Sequence, residues 1–311
     1  MPDLQQPLSG APGTGAATSS AAARVGVAYG IAAYGFWGLA PIYFKAVALV
    51  PALEVLAHRI VWSVVLLVAF VVITRRGPGV RDALRSGQTR LLLAATTLLV
   101  ATNWFVFIWS VAHNLLLQAS LGYFINPLVN ILLGVIFLRE RLSKWGMVSV
   151  VLAALGVSFQ IAQGAGIPYI ALILAFSFGF YGLLRKIVRV DAVIGLTVET
   201  SLLFPLAAAY IIALGFSGGG HFTTISRPFD GLLLLAGVVT TLPLVWFAKA
   251  ARRLRLATIG FIQYLAPSLH FLLAVFAYGE PFSWHAAVTF GCIWTALIIY
   301  SIDAARNMNA Q

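Results

Sequence analysis

Three ionisable side chains stand inside apolar stretches of this chain: His58 and Arg59 in one, Glu199 in another. A charge at the middle of a membrane-spanning helix costs about 2.5–3.5 kcal/mol on insertion scales, so such residues mark functional positions by default. A cation there can meet an anionic group of a solute, and a carboxyl can carry a proton. Polar groups with helical spacing accompany them. Tyr123, Asn126 and Asn130 fall on one helix face, with Pro127 freeing a backbone carbonyl beside them. Gln263, Tyr264, Pro267 and His270 form a second such group. Asn103 and Trp104, Thr240, Thr241 and Pro243, and the aromatic residues Tyr34, Trp37, Phe178 and Tyr181 complete the set. Together they describe an aromatic, hydrogen-bonding cavity for a small molecule. The competing role for each of these groups is a hydrogen bond between helices, worth about 0.6 kcal/mol on average.

Other chemistries lack their residues. The single Cys292 cannot form a disulfide framework, and the five His show no HxxxH or HExxH spacing, so no metal site is expected. No clustered acid–base constellation and no GxxxxGK[ST] loop occurs, so neither an enzyme nor direct ATP drive is expected, and no cofactor.

The elements that position these groups follow from composition. Charged residues make up 9% of the 311 residues and hydrophobic ones 61%, against roughly 25% charged in a soluble domain. Too little polar surface remains to cover a soluble core, so the chain is an integral membrane protein. A spanning helix needs about 20 mostly apolar residues. Ten stretches qualify: 25–46, 52–73, 91–112, 117–137, 145–163, 167–184, 193–214, 230–249, 257–278 and 284–303. They are continuous runs, not alternating strands, so a barrel is excluded. Residues 1–23 read as a disordered tail and 306–311 as a short C-terminal tail.

Of the 20 Lys and Arg, all but Lys45, Arg59 and Arg227 fall on one side of this ten-span topology. The excess places that side, and both termini, in the cytoplasm. The net charge of +11 is therefore topological, and nucleic acid is not an expected partner. Trp145 and Trp284 read as interfacial anchors.

The second half echoes the first. Ala119-Ser120-Leu121-Gly122-Tyr123 matches Ala257-Thr258-Ile259-Gly260-Phe261. One constant shift then brings Pro127, Leu132, Leu133, Val135, Glu140 and Ser143 onto Pro267, Leu272, Leu273, Val275, Glu280 and Ser283. Phe36-Trp37-Gly38-Leu39 matches Phe180-Tyr181-Gly182-Leu183. The units are 24–163 and 164–305, each of five helices. An odd number inverts the second copy, so the expected fold is an all-α membrane protein of ten helices in two inverted five-helix repeats.

Depth separates the charges. Arg59 lies about 10 Å below one surface and Glu199 about 10 Å above the other, which leaves about 10 Å between them in depth across a ~30 Å core. Two separate polar stations fit better than an ion pair. The alternatives are snorkelling for Arg59 and a structural hydrogen bond for Glu199. Glu54 and His58 share a face and can pair with each other. Ser143 and Ser283 are expected to cap the fifth and tenth spans, with Glu140 and Glu280 beside those positive helix ends. These two spans carry little polarity and are expected at the periphery, bracing the bundle or making a homodimer contact.

The runs AYGFWGLAPIYFK (33–45), HRIVWS (58–63), SLGYFINPLVNILLG (120–134), FYGLLRK (180–186) and RLRLATIGFIQY (253–264) resemble RarD-type permeases, within the EamA type of the drug/metabolite transporter superfamily. The resemblance covers roughly residues 25–303. It implies an inner-membrane permease with a cavity lined by the first four helices of each half. The superfamily's solutes range from amino acids to nucleotide sugars and drugs, so it names no substrate. The expectation is an alternating-access transporter exporting a small amphipathic metabolite or drug, with Glu199 as the candidate for proton coupling. The alternative is a facilitator without ion coupling, in which Glu199 is structural.

Overall fold

The computed structural model describes residues 14–139, 143–163, 166–188, 190–254 and 256–309. Glu140, expected beside a helix end, lies outside these residues. The helices are α1 (Thr14–Ala46), α2 (Ala52–Ile73), α3 (Gly77–Arg85), α4 (Gly87–Ala112), α5 (Leu116–Leu138), α6 (Lys144–Ala162), α7 (Tyr169–Val188), α8 (Ala192–Ser217), α9 (Arg227–Ala251), α10 (Leu256–Ile262), α11 (Leu265–Leu272) and α12 (Trp284–Asn309). No strand occurs among the described residues. Ten segments are long and apolar enough to cross a membrane, and they fall where the hydropathy places them.

Three local features differ from the expected pattern. Helical backbone runs back to Thr14, into the stretch expected to be a tail. The basic loop after α2 contains α3, started by Pro78 in its first turn. Its Ala83 packs with Leu93 and Val198, so α3 docks on the bundle and does not simply carry charge. The ninth span is broken: α10 stops at Ile262, α11 starts at Leu265, and a π-helical segment follows over Leu273–Ala277. Pro267 lacks the N–H that would continue the ladder to Gln263.

The two halves interleave. α1 packs on α9 and α11, as α7 packs on α4 and α5. α2 packs on α8 and α9, and α8 packs on α4. Close crossings use glycine. A Cβ on Gly122 would lie 2.6 Å from the Ala171 carbonyl oxygen, and one on Gly237 would lie 2.6 Å from the Trp62 carbonyl carbon. Small residues let helix backbones approach in a medium that gives no hydrophobic drive for association.

α6 and α12 pack chiefly on each other. Gly156 sits against Cys292, and Thr289 Oγ1 donates to the Gly156 carbonyl at 3.1 Å. Their mutual packing fits the bracing role. Ser143 Oγ caps α6 by accepting from Gly146 N at 2.8 Å, and Ser283 Oγ accepts from Ala286 N at 3.2 Å. Glu280 does something else. Its two carboxylate oxygens accept from Leu116 N at 2.8 Å and Leu117 N at 2.7 Å, so it caps α5 and not α12.

Candidate functional site

Arg59 is 8% exposed, on the face of α2 that meets α9 and α4. Its Nε donates to Thr240 Oγ1 at 2.8 Å. Its guanidinium carbon lies 4.1 Å from the ring centre of Trp104 and 5.7 Å from that of Phe44. Stacking on Trp104 satisfies part of the cation's electrostatic demand without a counter-ion. No carboxylate among the described residues lies within ion-pair distance of it. Snorkelling does not describe it, because the side chain is held inside the bundle.

The Phe44 ring lies 5.8 Å from that of Phe107, which joins Arg59 to a polar group on α4 and α5. There Asn103 donates to the Leu174 carbonyl and to Ser177 Oγ, both at 3.1 Å, and accepts from the Tyr123 hydroxyl at 3.0 Å. The Tyr123 ring lies 5.7 Å from that of Phe107 and 5.8 Å from that of His270. His270 Nε2 meets the Trp37 carbonyl at 3.1 Å, which ties α11 to α1. Trp37 in turn packs with Tyr34 at 5.3 Å and with Phe247 at 6.0 Å. Thr241, next to the residue that holds Arg59, is buried with its hydroxyl unpartnered. Arg59, Trp104, Asn103, Tyr123, His270, Trp37 and Tyr34 therefore form one connected cluster from α1, α2, α4, α5 and α11.

A second polar station surrounds Glu199, which is fully buried on α8. Oε1 accepts from Thr96 Oγ1 at 2.7 Å, Oε2 accepts from the Tyr181 hydroxyl at 3.2 Å, and Arg185 Nη1 lies 3.8 Å away. Arg185 belongs by position with the basic residues of the loop face. Its side chain is only 13% exposed and turns inward instead, donating through Nη2 to the Val190 and Asp191 carbonyls at 3.2 Å. Tyr181 and Arg185 are four residues apart on α7, a spacing that puts both on one face and is the one signal of this arrangement in the sequence. Glu199 pairs with Arg185 and not with Arg59.

The remaining expected residues divide. Asn126 donates to the Ala175 carbonyl at 3.1 Å and accepts from Asn130 Nδ2 at 3.1 Å, which ties α5 to α7. His58 points away from Arg59: Trp62 Nε1 donates to its Nδ1 at 3.3 Å, and Phe222 lies 5.1 Å from its ring. Glu54 does not pair with His58. It accepts from the His221 backbone N–H at 2.7 Å and meets His221 Nδ1 at 2.8 Å, holding the loop between α8 and α9. Tyr264 stacks on Phe124 at 6.5 Å and lines an open apolar groove of about 600 Å³ beside α12, away from the Arg59 cluster. Gln263 sits in the break between α10 and α11.

Phe44, Phe107, Thr96, Phe247 and Arg185 are not among the residues expected at the site. The first four read as ordinary span residues, and only their neighbours in space give them a place in the clusters.

A polytopic helical bundle with a buried, aromatic and polar cluster between its helices has the build of a membrane transporter for small solutes. The sequence profile described as the EamA-like transporter family matches residues 24–161. An uncharacterized transporter of Vibrio cholerae is 50% identical over 91% of this chain and 94% of its own length. Protein RarD of Escherichia coli K12 is 47% identical over 90% of this chain and 95% of its own. A protein of Pseudomonas aeruginosa named chloramphenicol-sensitive protein RarD is 32% identical over 92% of this chain and 96% of its own. One crystal structure superposes with a TM-score of 0.58 at 18% identity, over 93% of this chain and 99% of that one, and bears on the fold alone. The chain belongs to the EamA family of membrane transporters, among its RarD-type permeases.

Proposed function

We propose that this protein carries a small amphipathic solute across the plasma (inner) membrane by alternating access, with both termini cytoplasmic. The observation that carries the reading is Arg59: a buried guanidinium stacked on Trp104, held by Thr240, and without a carboxylate partner among the described residues. An unpaired buried charge costs several kcal/mol, and an anionic group on a solute would offset that cost. The rings of Trp104, Phe44, Tyr123 and Trp37 would hold the apolar part.

Alternating access draws support from the packing. If α1, α2, α4, α5 and α6 exchange with α7, α8, α9, α11 and α12, the α1–α9 contact becomes α7–α4, and α1–α11 becomes α7–α5. Contacts of both members of each pair occur, as an inverted repeat requires. The excess of Lys and Arg on one face supports the orientation.

The test is a thermal-shift screen of the purified protein against metabolites and antibiotics, since a ligand stabilises the state it binds. A stabilising compound whose effect is lost in Arg59→Ala supports the reading. Stabilising compounds that all keep their effect in Arg59→Ala and Trp104→Ala overturn the site.

Glu199 is the candidate for proton coupling. The second reading, an uncoupled facilitator, is favoured by one observation: Glu199 is engaged by Thr96, Tyr181 and Arg185, as a structural carboxylate would be.

A further inference from the structure

The geometry at Arg59 narrows the solute class beyond an anion, an inference that rests on this cluster being the solute site. The guanidinium is held by Thr240 at Nε and lies over the Trp104 ring, its carbon 4.1 Å from the ring centre. Its two Nη groups make no hydrogen bond to any described residue. That leaves the end of the fork, the edge that matches the two oxygens of a carboxylate by parallel N–H···O bonds.

Charge balance narrows the class further. The buried carboxylates are committed elsewhere: Glu199 to Thr96, Tyr181 and Arg185, Glu54 to His221, and Glu280 to the start of α5. With His270 neutral, the fixed charge of the site is that of Arg59 alone. A monoanion cancels it. A dianion leaves a net negative charge in a low-dielectric interior, and a zwitterion brings an ammonium group for which no acid is free among the described residues. Each leftover charge would stay desolvated without a partner. We propose that the solute is a monocarboxylate with an apolar, ring-bearing body and no amino group.

Four probes share one ring and differ in the head: phenylacetate, phenylacetamide, phenyl phosphate and phenylalanine. Binding of each to the purified full-length protein is followed by thermal shift and by tryptophan fluorescence. Phenylacetate is expected to bind about tenfold or more tightly than the other three, the effect of one charge-assisted pair. Arg59→Gln should remove that preference. Should Arg59→Gln not fold, Arg59→Lys keeps the charge without the fork, and the preference should fall there too. Equal or tighter Arg59-dependent binding of phenyl phosphate overturns the carboxylate head, and of phenylalanine the exclusion of an amino group; either result leaves an anion site at Arg59. A phenylacetate preference that persists in the Arg59 variants overturns both the class and the site. Binding of none of the four also overturns the class, and the broader screen then decides the site separately.

Discussion

Glu199 on α8 and Arg185 on α7 form a buried ion pair, with Oε1 and Nη1 3.8 Å apart and the carboxylate fully buried. Thr96 from α4 and Tyr181 from α7 complete the shell of the carboxylate. Three helices therefore meet on a single side chain.

Removing one partner of such a pair leaves the other charge unmatched, at a cost of about 3–5 kcal/mol. Glu199→Gln should lower the melting temperature in detergent sharply. Glu199→Gln with Arg185→Met should recover much of the loss, since replacing both charges is often near neutral. Equal destabilisation in single and double variants would show that the pair does not hold the helices.

The same residue decides the coupling question. Flux in proteoliposomes that responds to an imposed pH gradient should lose that response in Glu199→Gln. Gradient dependence unchanged in the variant would remove Glu199 as the coupling group and favour the facilitator.

Gly195 makes the inward turn of Arg185 possible. A Cβ there would overlap Nη1 and Cζ of Arg185. Arg185 cannot swing away without leaving Glu199 and the two loop carbonyls. Gly195→Ala should therefore destabilise by about 1–3 kcal/mol in thermal unfolding. Its effect should be smaller in the Glu199→Gln, Arg185→Met background, because residues in one network do not contribute additively.

Glu54 holds the loop between α8 and α9 through the backbone and ring of His221. Glu54→Ala should release that loop. A cysteine introduced at Thr224, in Cys292→Ser, should then react faster with a membrane-impermeant maleimide from the basic-poor side. An unchanged rate would mean that Phe222 packing alone retains the loop.

The spans are legible in the sequence because hydropathy over about 20 residues is a strong signal, and 52–73 matches α2 at both ends. The polar face of α5 is legible from helical spacing, and so is the absence of an Arg59–Glu199 pair, since Glu199 pairs with Arg185 instead. Arg185 is not, because a long cation near a span end can reach the headgroups or fold inward, and only Gly195 and Glu199 in space decide between them. Glu54 and Glu280 escape sequence reasoning in a related way. Local spacing points to the neighbours His58 and α12, whereas their partners, His221 and the start of α5, are more than 160 residues away in sequence. The break at Gln263 is half legible: Pro267 marks it, but proline tolerates continuous helix in membranes when neighbours satisfy the backbone.

The Glu280 cap on α5 bears on biosynthesis. Leu116 and Leu117 leave the ribosome long before residue 280 is made. During that interval the start of α5 lacks its carboxylate, and orphan N–H groups at a helix end need another partner, water or a lipid headgroup. The first five spans therefore enter the bilayer with an unfinished helix end, which the second half completes. Glu280→Ala would leave α5 in that nascent condition in the mature chain. It should cost about 1–2 kcal/mol, the range of a lost cap together with its dipole interaction, and unfolding in detergent would report it.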